Sequence, residues 1–195
     1  MNKREKGLLS LLLIGVLGTV AGLGVFGAFS STTSNPNNEF AAGTVAISDN
    51  DSNTAMYNVS NQKPGDSVTR CIRVTYTGSL ASNVRLYTTS TIGALGPHVN
   101  LTVTPGTMPV ETAYPDCRGF EGDKDPIYDG TLSGFAAAHD SYANGVVDFP
   151  ESNTSWATND TVVYQFTVAM SASAPDTVQG ATTGQHTYTW EAQNQ

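Results

Sequence analysis

The residues of this chain that could carry out chemistry are few and widely spaced. Its three histidines, His98, His139 and His186, stand in separate segments, and none belongs to an HExxH motif. That motif places two imidazoles on one face of a helix, where they bind zinc beside a glutamate base. The sequence also contains no Gly-x-Ser-x-Gly elbow and no glycine-rich phosphate loop. We therefore assign no catalytic residue, and we expect the histidines to lie on the surface, with His186 on a strand facing solvent.

One polar segment resembles the start of a calcium-binding loop. Asp49, Asp51 and Asn53 alternate along the chain, which is the spacing of the first ligands in an EF-hand loop. Position six of such a loop would be Thr54 rather than glycine, and position twelve lacks the glutamate. We favour a polar turn, and calcium or zinc at Asp49, Asp51 and Asn53 stays a weak candidate.

The N-terminal residues have the order of a secretory signal peptide. Three basic residues within positions 1–6 precede an uncharged stretch at 7–29. A retained membrane helix would need a stretch of this length, but five glycines between residues 15 and 27 disfavour a helix. We expect a signal peptidase to cut between Gly27 and Ala28. The chain then divides into a signal peptide at 1–27, an N-terminal arm at 28–40 and a β domain at 41–195.

The charge balance narrows the range of partners. Loss of residues 1–27 removes three basic residues and one acidic residue, which changes the formal charge from −8 to −10. Phosphate groups repel such a surface, so neither nucleic acid nor anionic lipid is an expected partner. Contact with a membrane is expected only through an uncleaved signal peptide. The composition suits a secreted protein in the extracellular space or at the cell surface.

The chain has two cysteines, Cys71 and Cys117. In an exported protein an even number of cysteines indicates a disulfide. This bridge would close a loop of roughly 47 residues and stabilise the fold by about 3–4 kcal/mol. Two free buried thiols are the alternative.

Short alternating runs of apolar and polar residues, separated by turns, dominate the rest of the chain. This pattern predicts an all-β fold, a sandwich of two antiparallel sheets. Within the long strands, Val68, Ile72 and Val74 share one face, and Val163 lies opposite the core face of its strand. The predicted strands are 44–48, 55–60, 67–76, 83–89, 99–104, 161–170 and 185–192.

Three connecting segments have their own signals. A Pro-Gly pair within 63–66 predicts a type II turn. Residues 132–139 place Leu132 and Phe135 on one face of a short connector helix. Residues 105–129 are rich in proline, glycine and acidic side chains, so we expect a long loop there that Cys117 fastens to the domain.

Four short motifs occur in an order that resembles the TasA/camelysin family of secreted Gram-positive surface proteins. The resemblance covers roughly residues 1–90, and beyond them only the all-β character fits. The cysteine pair is a departure from the family pattern. The matching positions are Ala28 and Phe29, then Phe40, Ala41, Gly43, Thr44, Val45 and Ile47, then Lys63 to Asp66, and then Gly78, Ser79 and Leu80.

The resemblance implies a jelly-roll domain, export with a SipW-type signal peptide and assembly into the fibres of a biofilm matrix. Within the arm, residues 28–38 are rich in Ser, Thr and Asn; Phe29 lies near the start of the arm and Phe40 at its end. A terminal arm of this kind can add to a sheet edge of a neighbouring molecule. Such head-to-tail addition does not close, so it grows filaments. A disordered tail is the alternative interpretation of the arm.

Our hypothesis is a structural surface or matrix protein whose partners are copies of itself or related matrix proteins. Its working elements are the arm, a first core strand containing Val45 and Ile47, and the brace between Cys71 and Cys117. Two other functions stay open. One is a camelysin-like metallo-endopeptidase, and the other is a monomeric surface binding module that uses loops such as 105–129.

Overall fold

The computed structural model describes residues 41–150 and 153–195. The predicted signal peptide, its cleavage site at Gly27 and Ala28, and the arm with Phe29 and Phe40 lie outside the described residues. In chain order the regular elements of the described part are β1 (Ile47–Asp49), β2 (Ser67–Tyr76), β3 (Ser82–Tyr87), β4 (Val99–Thr107), β5 (Glu121–Gly122), β6 (Tyr128–Thr131), α1 (Leu132–Ala138), β7 (Val146–Asp148), β8 (Thr161–Met170) and β9 (Thr189–Asn194).

These strands form two antiparallel sheets. The larger sheet has the order β1-β2-β8-β4-β5, and β6 also pairs with β4; the smaller sheet has the order β7-β3-β9. β2 and β8 pair along nearly their whole length, from Ser67 opposite Ala169 to Thr75 opposite Thr161. The all-β, two-sheet sandwich predicted from the sequence is therefore confirmed, and α1 is a single short helix between β6 and β7.

The core lies between the two sheets and contains the apolar faces predicted by alternation. Ile72, Val74 and Tyr76 of β2 are buried together with Tyr164 and Phe166 of β8. Burial of each large apolar side chain contributes about 1.5–3 kcal/mol. The smaller sheet, α1 and a connecting segment complete this core. They contribute Val84 and Leu86, then Leu132 and Phe135, and then Trp156.

The outer face of the larger sheet is partly covered by the loop that follows β4. Cys71 and Cys117 form the disulfide predicted from the sequence, and the Cys71 amide donates to the carbonyl of Pro115 at 3.0 Å. The Arg73 guanidinium donates to the Pro109 carbonyl at 2.7 Å. Because this loop covers the sheet there, Val163 is buried although it faces away from the core.

The loop predicted at 105–129 is present and is fastened by Cys117, but it is shorter than predicted. β4 continues to Thr107, and β5 and the first residues of β6 also lie in this region. Pro105 pairs with Tyr164 of β8, and its carbonyl accepts a hydrogen bond from the amide of Asp123 at 3.3 Å. Proline lacks only the backbone N–H donor, so its carbonyl can still accept a hydrogen bond within a sheet.

The first and last predicted strands are displaced along the chain. β1 begins at Ile47, and Val45 is an exposed residue rather than part of a core strand. β9 begins at Thr189, so the preceding segment with His186 is irregular. The turn at 63–66 is as predicted: the Asp66 amide donates to the Lys63 carbonyl, and Gly65 has a φ of 91°, which a type II turn requires.

The connector helix agrees with its prediction. It spans Leu132–Ala138, and the Thr131 hydroxyl oxygen caps its start by accepting a hydrogen bond from the Gly134 amide at 3.0 Å. Among the helices of the described segments, none has the length and apolar character needed to cross a membrane.

Candidate functional site

Two edge strands of the described residues face each other on one side of the sandwich. Within the described residues, β1 pairs only with β2, and β9 pairs only with β3. The two strands face each other, and a cleft of about 240 Å³ lies between them, with Ile47, Ser48, Val74 and Trp190 among its lining residues. An unpaired edge presents free backbone donors and acceptors to another strand. We call this region the seam. It is bounded on one side by β1 and β2, and on the other side by β9 and the residues that precede β9.

A second, larger cavity lies farther along the seam. Its volume is about 580 Å³, and its apolar lining includes Val68, Leu132 and Val168. Tyr57 and His186 also line it. The partial exposure of Val68 shows that the smaller sheet does not fully cover the core face of the larger sheet here.

Three polar aromatic side chains meet between the two cavities. The Tyr57 hydroxyl lies 2.6 Å from Nε2 of His186 and 2.9 Å from the Tyr188 hydroxyl. Nδ1 of His186 lies 3.1 Å from the Gly184 carbonyl, which can only accept. In the neutral imidazole Nδ1 therefore carries the proton, and Nε2 accepts from Tyr57. His186 is thus a seam residue, and its prediction as a solvent-facing strand residue was wrong.

Burial governs the ionisation of these tyrosines. It raises the pKa of Tyr57 to about 12, and the hydrogen bond from Tyr188 lowers the same pKa by a smaller amount. Burial also raises the pKa of Tyr188 well above its usual value. Both phenols are consequently neutral at physiological pH and serve as hydrogen-bond donors.

The segment at 55–62 crosses this side of the molecule without joining a sheet. Residues 55–60 were predicted as a strand, and that prediction was wrong. Met56 and Tyr57 are adjacent in the chain, yet both pack against the core, which the alternation of a regular strand does not allow. Within the described part of the chain, residues 55–62 make no backbone–backbone hydrogen bond. Side chains alone hold this segment in place.

Two of the motifs that carry the family resemblance meet in space. The Thr44 carbonyl accepts from the amides of Ser79 and Leu80 at 2.9 and 3.1 Å, and the Thr44 amide donates to the Ser79 hydroxyl at 2.9 Å. A side chain at Gly43 would collide with Leu80. These contacts fasten the chain to its own domain from Thr44 onward, so any segment donated to a neighbour must precede it.

The weak cation candidates form a polar turn. Oδ1 of Asp49 accepts from the Asp51 amide at 3.0 Å, and Oδ1 of Asp51 accepts from the Asn53 amide at 2.6 Å. Such local bonds are typical of Asx turns. Across residues 41–150 and 153–195, no cluster of three or more His, Cys, Asp or Glu side chains is suited to hold a metal ion.

The other histidines lie apart from the seam residues just described. His98 ends a single turn of 3₁₀ helix. His139 follows α1 and packs edge-on against Tyr128, and its Nδ1 lies 2.7 Å from the Asn144 carbonyl. Both make local structural contacts.

The described residues form a two-sheet β-sandwich in which the edge strands β1 and β9 face each other across the seam. The family model described as camelysin metallo-endopeptidase matches residues 7–98. This match includes β1 to β3 and each motif on which the resemblance depends, and it supports the resemblance of the chain to the TasA/camelysin family. No curated protein matches the chain.

Proposed function

We propose that this chain is a secreted structural protein of the cell surface or extracellular matrix, which forms fibres when the arm at 28–40 of one copy enters the seam of the next. The observation that supports this proposal is that the edges of β1 and β9, which have no partner strand within the described residues, face each other across a cleft of about 240 Å³. The family match supports the extracellular setting, because the family is in general associated with the cell surface.

The seam offers both components of strand recognition. Backbone groups on an open edge supply hydrogen bonds, and pockets between the sheets select alternate side chains of the added strand. Val74 and Trp190 line the smaller cleft, and Phe29 of the arm is the proposed anchor for it. Because donor and acceptor surfaces differ, each added copy exposes a new seam, and the assembly grows as an open filament.

The experiment compares a chain of residues 28–195 with one of residues 41–195 by light scattering and electron microscopy. The longer chain should form filaments, and the shorter one should stay monomeric and bind a synthetic peptide of residues 28–40. Two monomeric proteins, or equal assembly by both, would refute strand donation.

A substitution at the seam makes the test specific. Ser48 is exposed and lines the smaller cleft, so Ser48→Arg should obstruct the seam without disturbing the core. Thr107 is exposed at the end of β4, away from β1 in the larger sheet, so Thr107→Arg is the matched control. Filaments should be lost only with Ser48→Arg.

The name of the matching family gives a second candidate, a metallo-endopeptidase. It predicts bound zinc and proteolysis that a chelator abolishes. Elemental analysis of the purified chain and a casein digestion with and without chelator measure both properties, and neither depends on filament formation.

The larger cavity favours a third candidate, a monomeric binding module. Its volume of about 580 Å³ lies within the range typical of small-molecule sites. This function predicts a ligand on a glycan array and a chain of residues 28–195 that does not assemble.

A further inference from the structure

A lysine and an aspartate meet in a largely enclosed position that the proposed assembly does not use. Nζ of Lys124 lies 2.7 Å from Oδ1 of Asp148 and 2.7 Å from the carbonyl oxygen of Phe149. The side chain of Asp148 is only 5% exposed, and that of Lys124 is 30% exposed. A buried ion pair of this kind loses much of its attraction to the cost of desolvation.

Aromatic side chains surround the pair. Trp156 is fully buried, and its Nε1 donates to the backbone carbonyl of Asp148 at 2.8 Å. Tyr164 is buried as well; burial first, and then the charge of Asp148, raise the pKa of its phenol well above the usual value. The phenol is therefore a neutral O–H group close to the carboxylate.

The second oxygen of Asp148 lacks a regular partner. Within the described residues, Oδ2 is buried and makes no hydrogen bond of good geometry, although Lys124 satisfies Oδ1. A buried carboxylate oxygen without a partner is costly, and such a group in a folded protein calls for an explanation.

We propose that Lys124 and Asp148 are the site of an intramolecular isopeptide bond. One proton passes from the Lys124 ammonium to the Asp148 carboxylate; Nζ then attacks Cγ of Asp148, a C–N bond forms and one C–O bond breaks. Of the three ammonium protons, one stays on the amide nitrogen, and two leave with one carboxylate oxygen as water. The step needs no oxidant, reductant or other reactant.

Neighbouring groups take part in this step. The amine of Lys124 is the nucleophile once its proton has passed to the carboxylate beside it. The Phe149 carbonyl accepts a hydrogen bond from Nζ and orients it towards Cγ. In this proposal the Tyr164 hydroxyl, whose pKa responds to the charge of Asp148, stabilises the negative charge that develops on the carboxyl oxygen as the C–N bond forms.

The product would join the two sheets covalently. Lys124 lies between β5 and β6 of the larger sheet, and Asp148 ends β7 of the smaller sheet. The neutral amide would remove both charges from the interior. A link between sheets opposes their separation, which is a mechanical advantage for a surface protein.

The test is the mass of the full-length protein as it is purified, after reduction of its disulfide. The proteolytic fragment that contains Lys124 should be joined to the fragment that contains Asp148, and the pair should weigh one water molecule less than the sum of its parts. Lys124→Arg keeps the positive charge and should restore the full mass. Lys63→Arg, at an exposed lysine, is the matched control and should keep the deficit.

Two further variants examine the chemistry. Asp148→Asn should lose ammonia in place of water, because the amide nitrogen becomes the leaving group. Tyr164→Phe should lower the joined fraction at least severalfold while circular dichroism stays that of the native fold. Separate fragments of full mass from the natural chain, or a deficit that survives Lys124→Arg, would overturn the proposal and leave a buried ion pair.

Discussion

The hydroxyl of Tyr57 lies 2.6 Å from Nε2 of His186, although 129 residues separate them in the chain. The hydrogen bond joins the irregular segment at 55–62 to the residues that lead into β9. Both segments line the larger cavity of the seam. The contact therefore stabilises the packing of these two segments beside the cavity.

Removal of that hydroxyl should weaken the fold. Tyr57→Phe leaves Nε2 of His186 and the Tyr188 hydroxyl each without a partner, and we expect a loss of about 1–2 kcal/mol in the free energy of unfolding. Urea denaturation of the monomeric domain measures it. Tyr87→Phe is the control: its hydroxyl donates to Glu191 at a partly buried position, but Glu191 keeps the hydrogen bond from Gln193, so the loss should be about 0.5 kcal/mol.

The buried phenols predict a loss of stability in alkaline solution. Tyr57 keeps its proton up to a pKa of about 12 in the folded state, against an ordinary value of 10.0. Between these values the unfolded chain binds fewer protons than the folded one, so the free energy of unfolding falls as the pH rises from 10 to 12. The contribution of Tyr57 alone is about 2–3 kcal/mol.

Denaturation midpoints measured across that pH range provide the test. Tyr57→Phe should make the decline shallower, because one titrating group is removed. An unchanged midpoint between pH 10 and pH 12 in the natural protein would contradict the assignment.

The disulfide should be a major source of stability. Its cysteines are 46 residues apart in sequence, and loss of the bridge should cost about 3–4 kcal/mol through the greater entropy of the unfolded chain. The double variant Cys71→Ser with Cys117→Ser should unfold at a lower urea concentration than the natural protein. A reductant should lower the midpoint of the natural protein to a similar value and leave that of the variant unchanged.

Core and surface apolar residues should respond very differently to truncation. Phe166 is fully buried and packs against Tyr188 and Trp190, so Phe166→Ala should cost about 3–5 kcal/mol. Val110 is 82% exposed, and Val110→Ala should change the free energy of unfolding by less than about 0.5 kcal/mol. Thermal unfolding followed by circular dichroism compares the two, and equal effects would contradict the assigned core.

Local patterns in the sequence identified the elements that satisfy their own periodicity. β2 and β8 alternate between apolar and polar side chains along most of their length, so their extents and core faces followed from side-chain type. The helix from Leu132 and the turn that contains Gly65 followed in the same way, because spacing and backbone preference act over a few residues.

Tertiary structure overrode local pattern where a partner strand was present or absent. Pro105 and Gly106 were predicted as loop residues but lie within β4, because both pair with residues of β8. Residues 55–60 were predicted as a strand but are irregular, because the adjacent side chains of Met56 and Tyr57 both pack against the core.

By itself, the sequence determined the fold class, the family motifs and the number of cysteines, since each depends on composition or on short-range spacing. Only the folded chain brought Tyr57 to His186, Lys124 to Asp148 and the open edge of β1 to that of β9. These contacts join residues that are distant in sequence, and their formation depends on how strands pair and sheets pack. No local periodicity encodes that arrangement.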